Sequence, residues 1–129
     1  MIKIAPSILS ADFANLGRDV QRVSTADWLH VDVMDGQFVP NISIGVPVVE
    51  SLRKCTDMYL DVHLMIDRPV RYVETFCKAG ADMVTFHVEA EDAAGVDAAL
   101  AAIRNKGKMA GLVIKPATPA EAVLPWLDK

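Results

Sequence analysis

The sequence is short of the features that would assign it to a membrane, an oxidising compartment or a nucleic acid. It has only two cysteines in 129 residues, Cys55 and Cys77, and they lack paired spacing. That usage fits a reducing compartment, and a cytoplasmic location is the expectation. The longest uncharged stretches, such as Phe38 to Val49, are broken by Pro, Asn, Ser and Gly and fall short of a bilayer span. No basic region leads into an apolar block and a small-residue cleavage site at the N-terminus, so no signal peptide is expected. Basic residues are outnumbered: 13 Lys and Arg face 17 Asp and Glu, a formal net charge of −4 with no basic cluster. A nucleic-acid partner is therefore not expected. The 7 Gly and 7 Pro are spread along the chain, which excludes collagen-like repeats and a low-complexity linker.

What is present is a chain 52% apolar and 23% charged, long enough for a single domain over 1–129 with a real core. Short β-rich runs alternate regularly with helical patterns. The predicted strands are Ile4–Leu9, Trp28–Val33, Tyr59–Leu64, Met83–Val88 and Met109–Ile114. Their starts lie about 24 to 31 residues apart, close to the ~30 of a βα repeat. Each run is nearly continuous in apolar residues, as expected of parallel strands covered on both faces.

The intervening segments have helix boundaries. Asp12 can cap a helix that starts near Phe13 and stripes Leu16, Val20 and Val23 along one face. Pro47 opens a second helix and Pro69 a third, which Gly80 stops. Val96, Ala99, Leu100 and Ile103 stripe a fourth, ending at Gly107. Thr118 and Glu121 form a capping-box pattern for a fifth, which Pro125 should kink or shorten. Ala26-Asp27 and Ala81-Asp82 echo each other before two of the strands, a structural likeness between βα units. Five such units in this length would fit a flavodoxin-like doubly wound sheet, whereas a closed eight-stranded barrel usually needs about 200–250 residues.

The chemistry-bearing residues gather at strand ends. In Leu29-His30-Val31-Asp32-Val33-Met34-Asp35-Gly36, the period of two puts His30, Asp32 and Met34 on one face. In Leu60-Asp61-Val62-His63-Leu64-Met65 it does the same for Asp61, His63 and Met65. Two imidazoles with a carboxylate suit a divalent transition metal, with a fourth ligand from elsewhere. A lone strand histidine is ordinarily a bonded core residue, but a carboxylate two places away is costly to bury unpaired and favours a site. By pattern alone Met34 and Met65 read as packing, and His87 as structural or as support behind the site. Asp35-Gly36 reads as a strand-end turn, and both cysteines as packing residues near helices. Ser7 can offer a hydroxyl to a polyol or a carboxylate. No GxSxG elbow, Walker loop or GxGxxG accompanies it. Lys115 reads as a solvated strand-end lysine rather than a Schiff-base former.

Taken together, five segments resemble the ribulose-phosphate 3-epimerase family. They are Ile4-Ala5-Pro6-Ser7-Ile8-Leu9-Ser10-Ala11-Asp12-Phe13, Leu29 through Asn41, Asp61-Val62-His63-Leu64-Met65, Thr85-Phe86-His87-Val88-Glu89-Ala90 and Gly111-Leu112-Val113-Ile114-Lys115-Pro116. The resemblance implies an α/β fold of the TIM (β/α)8-barrel family, of which 1–129 would be an N-terminal portion of about five βα units, a partial or open barrel. It therefore displaces the doubly wound reading. It implies metal-assisted interconversion of D-ribulose 5-phosphate and D-xylulose 5-phosphate by proton transfer at C3. His30, Asp32 and His63 would be ligands of one divalent metal ion (Zn, Fe, Mn or Co). Asp32 would also be one of two acid/base groups, Ser7 and His63 would contact substrate, and Met34 and Met65 would line the pocket. A homo-oligomer is expected of the full-length family enzyme.

The family's sixth to eighth strands have no counterpart in these residues. With them go the Gly-rich phosphate loop, the last strand's phosphate turn and an Asp-Gly-Gly segment that supplies the second acid/base Asp and fourth ligand. The 129 residues alone are accordingly expected to be inactive, with open edges at the first and fifth strands that favour aggregation or pairing. The alternatives are a 3-epimerase of another ketose phosphate, such as D-allulose 6-phosphate, and a non-catalytic half-barrel.

Overall fold

In a computed structural model, which describes residues 1–128, strands and helices alternate along the chain. The order is α1 (Leu16–Arg22), β1 (Trp28–Met34), α2 (Val46–Cys55), β2 (Tyr59–Met65), α3 (Val73–Ala79), β3 (Met83–His87), α4 (Ala93–Asn105) and β4 (Met109–Val113). The strands form one parallel sheet in the sequential order β1-β2-β3-β4. A doubly wound sheet reverses its strand order part-way and carries helices on both faces. Here the order never reverses. One buried cluster joins Leu29, Val31, Val33, Leu60, Val62 and Leu64 to α1–α4 through Val20, Val49, Leu52, Val73, Phe76, Val96 and Ile103. Sequential parallel strands with helices on one side are the winding of a βα barrel.

The helices start and stop where their sequences dictate. Asp12 accepts a hydrogen bond from the Ala14 amide and caps a 3-10 turn, Phe13–Asn15, which leads into α1. Pro47 stands in the first turn of α2, where its missing N–H costs nothing. Pro69 opens a 3-10 turn before α3, and Asp92 caps α4 by accepting from the Gly95 amide. Gly80 ends α3 at φ 122°, with Arg53 packed against its Cα. The guanidinium of Arg53 donates to the carbonyls of Gly80, Thr56 and Met58 and to Asp82 Oδ2, which also accepts from the Leu60 amide. One cation thereby joins the ends of α2 and α3 to the starts of β2 and β3.

Four expectations are corrected. The predicted strand Ile4–Leu9 is an extended segment with a single parallel bridge, Ser7 to His30, followed by a 3-10 turn over Ile8–Ser10. The Trp28 amide donates to the Ile4 carbonyl and the His30 amide to that of Pro6. In that register the returning donor to Trp28 is the N–H of residue 6, which proline lacks. The fifth helix is a 3-10 segment, Ala120–Trp126, with Pro125 inside it. Its capping box does not form, because the Thr118 hydroxyl donates to Glu89 instead. β1 and β2 are buried on one face only: each alternates between half-exposed and buried positions. Cys77 is buried as expected, but Cys55, the last residue of α2, is exposed.

That alternation positions the site. Leu29, Val31, Leu60, Val62 and Leu64 are 0% exposed. Each full burial is worth about 1.5–3 kcal/mol, enough to hold the register firmly. The intervening residues point to the other face, and those are His30, Asp32, Met34, Asp61, His63 and Met65.

Candidate active site

The register sets the reactive groups side by side. His30 is the Cα partner of Asp61, Asp32 of His63, and Met34 of Met65. Asp32 is the hub. Its Oδ1 lies 3.1 Å from His30 Nε2 and 3.2 Å from His63 Nδ1. Its Oδ2 accepts a hydrogen bond from the Ser7 hydroxyl at 2.5 Å. The Ser7 oxygen itself accepts from the Leu9 amide, so the 3-10 turn after the extended segment aims it. The second ring nitrogens are also engaged: His30 Nδ1 is 2.8 Å from Asp61 Oδ2, and His63 Nε2 is 2.9 Å from His87 Nε2.

The electrostatics follow from this crowding. His30 is pushed up to about 10 by its bonds to Asp32 and Asp61, against the opposing effect of burial. Burial works against ionisation of Asp32, yet the bonds from His30, His63 and Ser7 outweigh it and hold the carboxyl far below the usual range. Asp32 is thus held as a carboxylate by its hydrogen-bond partners, His30 foremost.

A metal fits the donor set. His30, Asp32 and His63 each offer a ligand atom, and these lie within 4.8 Å of one another. Two imidazole nitrogens converge on one carboxylate oxygen, the chemistry that binds zinc, iron, manganese or cobalt. Asp61 backs His30 as a carboxylate behind a ligating histidine does.

Met34 and Met65 are half-buried at the strand ends beside this cluster. Asp35 is the turn residue expected: Oδ1 accepts from the Gln37 and Phe38 amides, and Oδ2 from Asp67. Lys115, two residues past β4, lies with Nζ 3.9 Å from the centre of the Phe38 ring. Asp61 and Glu89 join the cluster without having been singled out for it, and His87, read as structural or as support, lies against His63. His87, 7% exposed, stacks on His63 at 5.0 Å and meets Phe38 at a tilt at 5.1 Å. Asp61 was legible as a same-face neighbour of His63; its pairing with His30 needs the inter-strand register.

Comparison with known proteins places the chain. The Ribulose-phosphate 3 epimerase family matches residues 3–129. A ribulose-phosphate 3-epimerase of Synechocystis is 52% identical over 98% of this chain and 57% of its own length. That of Mycobacterium bovis is 56% identical over 97% of this chain and 52% of its own, and that of Bacillus subtilis 50% identical over 95% and 57%. The chain thus spans about half the length of the curated relatives it matches. Among solved structures, Yersinia pestis DHPS with a pterine-sulfa conjugate superposes with a TM-score of 0.61. It is 17% identical, over 90% of this chain and 45% of that one, a likeness of fold alone. With a family match over nearly every residue and relatives at half identity or better, this chain belongs to the ribulose-phosphate 3-epimerase family.

Proposed function

We propose that these residues form the metal-binding and first proton-transfer half of an active site that interconverts D-ribulose 5-phosphate and D-xylulose 5-phosphate. The observation that carries this reading is Asp32 Oδ1, on which His30 Nε2 and His63 Nδ1 converge. His30, Asp32 and His63 would hold one divalent metal, which when bound supplies Lewis-acid polarisation of the substrate carbonyl.

The chain's own residues do the rest. Asp32 takes the C3 proton of the sugar and leaves an enediolate, or returns a proton to it. Ser7 donates to Asp32 Oδ2 and holds that oxygen in place, with its own oxygen placed to meet a substrate hydroxyl. His63 flanks Asp32 and faces the substrate. Met34 and Met65 cover the strand ends and keep water from the enediolate. Inversion also needs an acid or base on the opposite face of C3, and we assign it to the part of the relatives' length that these residues do not match. Two free cysteines, one of them exposed, support a reducing cytoplasmic setting for the reaction.

Exchange at one face of C3 needs only one carboxylate, so it can be measured on this chain. The test is deuterium uptake at C3 of D-ribulose 5-phosphate in D2O with Co2+ or Zn2+, followed by proton NMR. Exchange that disappears in Asp32→Asn is expected. Stoichiometric metal binding without exchange would make the chain a non-catalytic metal binder. Faster exchange with D-allulose 6-phosphate would move the substrate to a hexulose phosphate.

A further inference from the structure

His87 and Glu89 touch none of the groups assigned to the reaction except through His63. His87 Nε2 is 2.9 Å from His63 Nε2, and two facing ring nitrogens bond only when one carries a proton and the other does not. His87 Nδ1 is buried and has no hydrogen-bond partner; Glu89 Oε2 stands 3.4 Å away as the acceptor within reach. Glu89 cannot turn freely. Its Oε1 accepts from the Lys115 amide at 2.5 Å and from the Thr118 hydroxyl at 2.6 Å. The segment after β4 therefore clamps one oxygen and presents the other to His87.

These facts set a direction along the chain of groups. A carboxylate oxygen accepts only, so the proton of His87 belongs on Nδ1. Nε2 of His87 is then an acceptor, and the proton between the rings belongs on His63 Nε2. In the metal-free chain Asp32 Oδ1, also an acceptor, competes for a proton on His63 Nδ1 at 3.2 Å; a metal taken up at that site would end this competition and leave Nδ1 with a lone pair to give. His63 stacked on His87, with Phe38 tilted against the same ring, restricts rotation out of this arrangement.

We infer that His87 and Glu89 are positioning residues that fix the ring orientation and tautomer of His63, with Nδ1 turned to the metal site. The inference rests on the metal-assisted reading above and extends the site to a third strand and to the segment beyond β4. It mirrors what Asp61 does for His30, with a neutral imidazole interposed between ligand and carboxylate.

Glu89→Gln tests it with little change of shape. Because Oε1 faces two donors, the amide oxygen must stay there, and the amide nitrogen turns to His87 as a donor. His87 then keeps its proton on Nε2, opposite His63. Co2+ affinity, read by titration of the visible absorption band, is expected to fall about 10- to 100-fold in Glu89→Gln and His87→Leu. His87→Gln, whose amide oxygen can accept from His63, is expected to stay within about threefold of the parent and to keep its spectrum. Nitrogen-15 NMR of the parent chain loaded with Zn2+ should show His87 protonated on Nδ1. Parent-like affinity in both Glu89→Gln and His87→Leu overturns the inference, as does His87 protonated on Nε2. A parent chain that takes up no Co2+ would sink the metal reading instead. If a variant failed to fold, the His87 tautomer in the metal-loaded parent chain would decide the role of the pair.

Discussion

Asp61 and His30 face each other across β1 and β2 as Cα partners, with Asp61 Oδ2 2.8 Å from His30 Nδ1. The bond turns the other ring nitrogen of His30 to Asp32. Asp61 reaches the centre only through this imidazole, and its buried Oδ1 has no hydrogen-bond partner. An acceptor left over beside a histidine proposed to bind metal suits a residue placed for its charge.

Asp61→Asn removes that charge and keeps the shape. Co2+ affinity is expected to fall about 10-fold. The metal-free chain should change as well. His30 is raised from 6.5 to about 10, so its contribution to stability is complete below about 6.5 and is lost as pH rises through about 10. Thermal melts between pH 6 and 11 should decline across that window in the parent chain and more shallowly in Asp61→Asn. Superimposable profiles would show that Asp61 does not sustain the charge on His30.

Glu74 contributes to the acid side alongside Asp32. Lys106 and then Lys78 hold its carboxyl down to about 2 from an ordinary 4.5. A depressed carboxyl stabilises above its unfolded value and ceases to do so as pH falls through the folded one. The parent chain should therefore lose stability between about pH 4.5 and 2, and Glu74→Gln should flatten that limb. Because the group is at the surface, 0.5 M salt should flatten it too. Urea midpoints at several pH values provide the check.

Gly80→Ala should be the costliest small change in the chain. At φ 122°, an added Cβ would meet Arg53 Cγ at 2.6 Å, close to the root of a side chain that cannot swing away. Strain and displacement of the Arg53 bonds together predict a loss of about 3 kcal/mol in urea unfolding. Gly107, also at positive φ but with nothing within 4 Å, is the control. Gly107→Asn should cost less than about 1 kcal/mol, since asparagine tolerates the left-handed region. Equal losses at the two sites would show that Arg53 is not the obstacle.

The grouping proposed to hold a metal was legible because strand geometry makes it so. A period of two places His30 with Asp32, and Asp61 with His63, before any fold is known. The helices were legible for a similar reason, their stripes and end signals being local. Three other features depend on partners remote in the chain. Ile4–Leu9 has strand composition, but its ladder fails because Pro6 has no hydrogen to return to Trp28. Thr118 sits at a helix-cap position, yet Glu89, 29 residues earlier, takes its hydroxyl. Cys55 ends α2 on its exposed side, although Leu52 in the same turn is buried in the core. The support from His87 and Glu89 requires β2, β3 and the segment after β4 to be brought together, which no single-segment pattern encodes.

The alternation along β1 and β2 has a consequence for how such a chain diversifies. Residues 29, 31, 33, 60, 62 and 64 are buried in the core, while residues 30, 32, 34, 61, 63 and 65 lie on the other face, that of the proposed reaction. Neighbouring codons thus carry separate selective burdens. A lineage can exchange reactive groups at one set of positions without disturbing the packing maintained by the other, so new substrates are accessible by single steps that leave the protein foldable.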